Sequence, residues 1–115
     1  RWVLSDLLHP EVHAARQDWK PFHEAVEIIK LHGDGVEGPT VALLRYQPGA
    51  HVPTHRHQGY EHVFVLTGSQ RDERGRYGPS TWLVHAPGTR HTVQSDEGCV
   101  VMVFWAEPVR FESNA

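Results

Sequence analysis

Cysteine is almost absent from this 115-residue chain. Cys99 stands alone, which excludes an internal disulfide and fits a reducing compartment. Lysine is scarce too, with only Lys20 and Lys30, and the formal net charge is −3 at pH 7. Without a basic excess there is no electrostatic footprint for phosphates, so neither nucleic acid nor a polybasic membrane contact is expected as a partner. Long hydrophobic runs are also missing. The longest, Cys99–Ala106, has eight residues, against the roughly 20 needed to cross a bilayer. No basic segment followed by an apolar stretch opens the sequence, and the expected location is cytoplasmic. Histidine is what the chain has in excess, with ten residues, and this is the first pointer to a metal.

A chain of 13.1 kDa is one domain's worth, taken as residues 1–115 with a core over about 19–112. Ten glycines and eight prolines cut it into short pieces, and no long helical period survives between them. Only the start reads as helical: Ser5 or Asp6 is placed to cap a short helix whose length Pro10 limits. Beyond Trp19-Lys20-Pro21-Phe22 the segments are rich in β-branched and aromatic residues. They predict strands near His23–His32, Thr40–Gln47, Glu61–Leu66, Trp82–Ala86 and Gly98–Ala106, separated by turn formers such as Pro48-Gly49 and Pro87-Gly88. The pattern is that of an all-β antiparallel sandwich or barrel with a short N-terminal non-sheet or helical segment. Val63–Leu66 and Cys99–Trp105 are apolar at every position, so both faces of those strands need cover. The N-terminal segment is one candidate for the outer cover and a second copy of the chain is the other, which makes a homodimer the expectation.

The informative stretch runs from Gly49 to Gly68. His55 and His57 are two apart, which in a strand puts both imidazoles on one face. Glu61 follows after Gly59, which permits a turn, so a carboxylate can arrive from the next strand. His91 lies just beyond Pro87-Gly88. Three neutral imidazoles with one carboxylate suit a divalent first-row metal and suit Mg²⁺ or Ca²⁺ poorly. A histidine pair two apart also arises by chance in a His-rich chain; the glycines and the glutamate falling into place distinguish this one.

With Gly49, His55, His57, Glu61 and Gly68 at every fixed position, the segment resembles the first cupin motif: glycine, five residues, His-x-His, three residues, Glu, six residues, Gly. Gly88 and His91 match the centre of the second motif, while Ser80, Ala86 and Ser95 replace its outer glycine, proline and asparagine. The resemblance implies a jelly-roll, double-stranded β-barrel with His55, His57, Glu61 and His91 as ligands of one divalent transition metal, whether zinc, iron, manganese or nickel. Trp19-Lys20-Pro21-Phe22, Leu31-His32-Gly33-Asp34, Asp72-Glu73 and Glu97-Gly98-Cys99 further resemble the cupin half of ChrR-type anti-sigma factors. Those proteins carry an additional N-terminal sigma-binding domain with its own zinc ligands, which these residues do not contain.

Four protein ligands leave a position open on a first-row ion, which is the arrangement of a reactive site. The primary expectation is a metal-dependent enzyme, dioxygenase-like with iron, or an isomerase or hydrolase with a non-redox ion, acting on a small oxygen-chelating molecule inside the barrel. Glu61 is then a possible base. Tyr60 and Gln94 flank the ligands and are candidates to orient the guest, with His51 and Arg90 at the rim and Val63, Val65, Val101 and Val103 around it. The alternative is a regulatory or sensing cupin of the ChrR kind. His62 is read as facing away from Glu61. His85 is read as an outward histidine or as a neighbour of the ligands. Cys99 is read as a small buried hydrophobe, and Trp2, Trp19, Trp82 and Trp105 as packing residues.

Overall fold

The computed structural model describes residues 1–107 together with the backbone of Arg110 and Phe111; the expected core boundary near residue 112 lies outside the described residues. Among the described residues, eleven strands follow one five-residue helix, α1 (Pro10–Ala14). They are β1 (Lys20–His23), β2 (Val26–His32), β3 (Thr40–Tyr46), β4 (Ala50–Arg56), β5 (Glu61–Gly68), β6 (Gln70–Arg71), β7 (Arg76–Tyr77), β8 (Trp82–His85), β9 (Arg90–Ser95), β10 (Cys99–Trp105) and β11 (Arg110–Phe111). Two antiparallel sheets result, ordered β1-β2-β3-β10-β5-β8 and β11-β4-β9-β6-β7. Sequence neighbours are often not sheet neighbours, because the chain crosses repeatedly between the layers, as in a jelly roll. The sheets face each other without joining into a closed cylinder. Among the described residues no helix is long and apolar enough to cross a membrane.

The core between the sheets is built from alternate residues of the strands: Val26 and Ile28 on β2, Ala42 and Leu44 on β3, Val63 and Val65 on β5, Val93 on β9, and Val101 and Val103 on β10. The outer face of the larger sheet is covered in part. Ile29, Leu43, Leu66 and Val100 form a second cluster beneath Leu7 and Trp19, so the N-terminal segment does serve as a lid over the β2–β3–β10 region. Towards β8 the cover stops, and Trp82, Val84 and Phe104 stay exposed.

Two local readings need correction. Neither Ser5 nor Asp6 caps the helix: α1 begins at Pro10, and His9 stands at the cap without a side-chain hydrogen bond. Proline starts the helix here, since its fixed φ suits the first helical position and its missing N–H would have had no partner there. The expected strand His23–His32 is broken at Glu24-Ala25, where Ala25 adopts φ +61° and the chain reverses between β1 and β2. Strands β4 and β9 escaped the sequence reading. Pro53 sits in β4 where the register with β9 shifts between Val52 and His55, a bulge that accommodates a residue without an N–H.

Candidate metal centre

The two sheets deliver the site from opposite sides at one end of the sandwich. In the smaller sheet His55 on β4 pairs directly with His91 on β9. In the larger sheet Glu61 opens β5 and pairs with Trp105 on one side and with His85 on the other. His57 lies just past β4, and its backbone is tied in both directions to the Pro87-Gly88-Thr89 turn: its N–H donates to the Thr89 carbonyl at 3.1 Å and its carbonyl accepts from Gly88 at 2.9 Å. The turn preceding His91 thereby fixes His57. Where the second motif normally has its outer glycine, Ser80 retains the left-handed backbone, with φ +68°.

One donor atom each from His55, His57, Glu61 and His91 lies within 4.8 Å of the others, and all four side chains are buried. Two of the donor pairs are spaced as ligands to one ion would be. His55 Nε2 and His91 Nε2 are 2.9 Å apart, and His57 Nε2 and Glu61 Oε1 are 3.0 Å apart. Two donors at right angles about an ion with bonds of about 2.05 Å would lie about 2.9 Å apart.

The hydrogen bonds behind the rings support the same conclusion. Nδ1 of His55 faces the Pro53 carbonyl at 3.2 Å, and a carbonyl only accepts, so that nitrogen holds the proton. Nδ1 of His57 faces the Thr89 carbonyl at 3.2 Å and the Thr89 hydroxyl at 3.1 Å; the hydroxyl already donates to Ala86, so it too accepts. In the neutral rings both Nε2 atoms therefore carry lone pairs towards the centre. Glu61 keeps its charge. Burial acts to raise its pKa, but the imidazoles of His57 and His55 beside it and the donated Trp105 indole N–H hold it below the usual carboxylate range. In that tautomer the His57 Nε2 lone pair faces Glu61 Oε1 at 3.0 Å, a contact that a cation between them relieves. Burial likewise pulls down the pKa of His55, and burial together with His55 and His85 pushes His91 down to about 4, so both rings are neutral at neutral pH.

His85 is not an outward residue. It stacks on His57 with centroids 4.9 Å apart and planes 4° from parallel, and its ring centre is 4.2 Å from that of His91. Its pairing with Glu61 turns it to the same side of the sheet, which the sequence could not show without the register. Trp105 does more than pack: its indole N–H donates to Glu61 Oε2 while its ring stacks on Phe22. Tyr60 is exposed and is not brought to the cluster. Gln94 lies on the outer side of β9, alternate to buried His91, Val93 and Ser95, and its amide reaches Asp96. His51 is likewise on the outer side of β4, opposite Gln94. His62 points away from the site, as expected, and stacks on Trp82. Cys99 is buried, and burial raises its thiol to about 11.

Space around the centre is uneven. Inside, bounded by His55, Glu61 and His91 and by apolar side chains including Val63, Val93 and Val101, is a cavity of only about 20 Å³. Outside, a groove of about 230 Å³ runs over His91 and His85 between Asp72, Arg74 and Arg90.

Comparison with known proteins agrees with this architecture. The family model of the ChrR cupin-like domain matches residues 10–107. Anti-sigma-E factor ChrR of Cereibacter sphaeroides is 34% identical over 79 residues, covering 66% of this chain and 37% of that protein. The chain thus spans little more than a third of this curated relative. ChrR of Rhodobacter sphaeroides, solved in complex with SigE, superposes with a TM-score of 0.69 at 26% identity, covering 78% of this chain and 49% of that one. An acetylacetone dioxygenase from Acinetobacter johnsonii reaches a TM-score of 0.74 at 16% identity, covering 84% and 73%, and shares the fold alone.

Proposed function

Because this chain belongs to the ChrR cupin-like domain family, we propose that it is a metal-loaded regulatory barrel. It holds one divalent first-row ion on His55, His57, Glu61 and His91 and reports the state of that centre to a protein partner. The observation that carries the metal is the convergence of His57 Nε2 on Glu61 Oε1 at 3.0 Å and of His55 Nε2 on His91 Nε2 at 2.9 Å, four donor atoms gathered at one buried centre. A nitrogen-rich donor set of this kind suits zinc, iron, manganese or nickel. When bound, such an ion supplies a Lewis-acidic position beyond the four protein ligands.

Cavity size favours reporting over catalysis on an organic substrate. About 20 Å³ beside the ligands accommodates one water, or an oxidant of similar size, and excludes a dicarbonyl from the barrel interior. Val63, Val101 and Val103 border that small space and Val65 is likewise buried, as expected of residues near the interior. Glu61 Oε2 accepts from the Trp105 indole and Oε1 lies inside the donor cluster, which argues against a free base. In the solved relative the partner is SigE, and a sigma factor is the partner proposed for this chain. A second reading, the small-molecule enzyme, is favoured by one feature: the outer groove opens onto His85 and His91, so a substrate would meet Arg74 and Arg90 rather than Tyr60 and Gln94. A homodimer through the exposed Trp82–Phe104 face and a cytoplasmic location complete the proposal.

The test begins with elemental analysis of the purified chain. One equivalent of metal is expected, lost in His55→Ala and in His91→Ala; full metal content in both variants would refute the ligand set. Co-purification of a sigma factor supports reporting, whereas oxygen uptake with acetylacetone by the iron-loaded protein would favour the enzyme.

A further inference from the structure

Each ligand histidine must present a bare Nε2 to a metal, and so must carry its proton on Nδ1 and find an acceptor for it. His55 has the Pro53 carbonyl and His57 has Thr89. His91 has neither: its Nδ1 is buried and, in this structure, without a hydrogen-bond partner. The group that faces it is Asp72, whose Oδ2 lies 3.9 Å away and whose side chain is about nine-tenths buried. Asp72 stands at the turn between β6 and β7, and its other oxygen is fully committed. Oδ1 accepts from the backbone N–H of Arg74 at 2.8 Å and of Gly75 at 3.2 Å, and from the Tyr77 hydroxyl at 3.2 Å. Three donors on one oxygen fix the carboxylate plane and leave the second oxygen directed at the orphaned imidazole nitrogen.

We propose that Asp72 is the positioning residue for His91, its Oδ2 accepting a hydrogen bond from the Nδ1–H so that Nε2 is held bare and aimed at the metal. The inference rests on the metal site proposed above. It gives Asp72 a role separate from capping the turn, since the turn uses Oδ1 and the imidazole uses Oδ2. Carboxylates in this relation to a ligating histidine fix its tautomer and orientation, and losing one typically costs 10- to 100-fold in metal affinity.

Asp72→Asn separates the two roles, because the amide oxygen can still accept from Arg74, Gly75 and Tyr77 while an N–H₂ replaces the acceptor facing His91. Zinc is the probe, with affinity measured by chelator competition on wild type, Asp72→Asn and Tyr77→Phe. The expected result is a 10- to 100-fold weaker affinity in Asp72→Asn and less than a threefold change in Tyr77→Phe, which removes a bond to Oδ1 only. A second readout is the His91 Nδ1–H resonance of the zinc-loaded protein. It is expected downfield and slow to exchange in wild type and in Tyr77→Phe, and shifted upfield or lost to exchange in Asp72→Asn. Equal loss of affinity in both variants would make turn integrity the cause and overturn the proposal. So would an unchanged His91 resonance in Asp72→Asn, or a wild-type resonance that shows no hydrogen bond. If wild type itself binds no zinc, the metal site falls and this inference with it, an outcome distinct from the failure of Asp72 alone.

Discussion

The two glycines that bracket the His55–Glu61 segment are expected to respond very differently to alanine. Both adopt positive φ, +83° at Gly49 and +70° at Gly68, so either substitution forces a left-handed L-residue at roughly 1–2 kcal/mol. There the likeness ends. A Cβ on Gly49 meets nothing within 4 Å, whereas a Cβ on Gly68 points into the Gly98 carbonyl and comes within 2.8 Å of the Cys99 Cα. Those are backbone atoms of the paired strand, so relief requires β5 and β10 to part where Gly68 pairs with Cys99. Overpacking of that kind adds about 1–3 kcal/mol. Gly68→Ala should therefore lose roughly 2–5 kcal/mol against about 1–2 for Gly49→Ala, out of a total near 5–15 for a domain of this size. Urea unfolding with excess chelator, so that bound metal does not mask the change, should lower the Gly68→Ala midpoint by between about 1 and 3 M. Asparagine, which tolerates the left-handed region, should recover part of the loss at position 49 and none at 68. Losses equal within 0.5 kcal/mol at the two sites, at the precision such measurements allow, would refute the steric argument.

Trp105→Phe keeps an aromatic ring against Phe22 but removes the indole donor from a buried carboxylate oxygen, and should cost about 1–3 kcal/mol of metal-free stability, read from urea midpoints. Cys99, with its thiol raised to about 11 by burial, should resist disulfide reagents in the native protein at pH 8. Because the thiolate is the reactive form, labelling should climb through pH 10 without levelling off near 8.5, as an ordinary thiol would; a plateau there would contradict the burial argument. Light scattering should return a dimer, and Trp82→Glu, which places a charge on the exposed apolar face, should return the 13.1 kDa monomer.

Chemistry was easier to find in this sequence than the strands that carry it, and the reason is physical. His55 and His91 occupy inward positions on β4 and β9 where alternation would otherwise place aliphatic residues. Polar side chains at those inward positions erase the apolar pattern by which strands are recognised, and Pro53 in β4 obscured that strand further. The ligands remained legible because motif spacing does not depend on hydrophobicity. The doubly apolar β5 and β10 had the opposite fate, being found almost to the residue, since burial on both faces leaves a continuous run.

The residues that support the ligands were hidden for a different reason: their roles exist only through register. Trp105 reaches Glu61 because β10 and β5 pair those two positions, and His85 turns inward because β8 pairs it with the same glutamate. Asp72 comes nearer to illegibility still. In sequence it is visible only in the Asp72-Glu73 likeness, with no role attached, and it comes to face His91 because Arg71 pairs with Gln94 and draws the β6–β7 hairpin against β9. A ligand set can be written as a spacing in one chain segment, but the acceptors behind those ligands arrive from strands whose order in the sheet bears no simple relation to their order in sequence. In this fold the donor atoms therefore follow from the sequence motif, while the groups that fix their protons follow only from the topology.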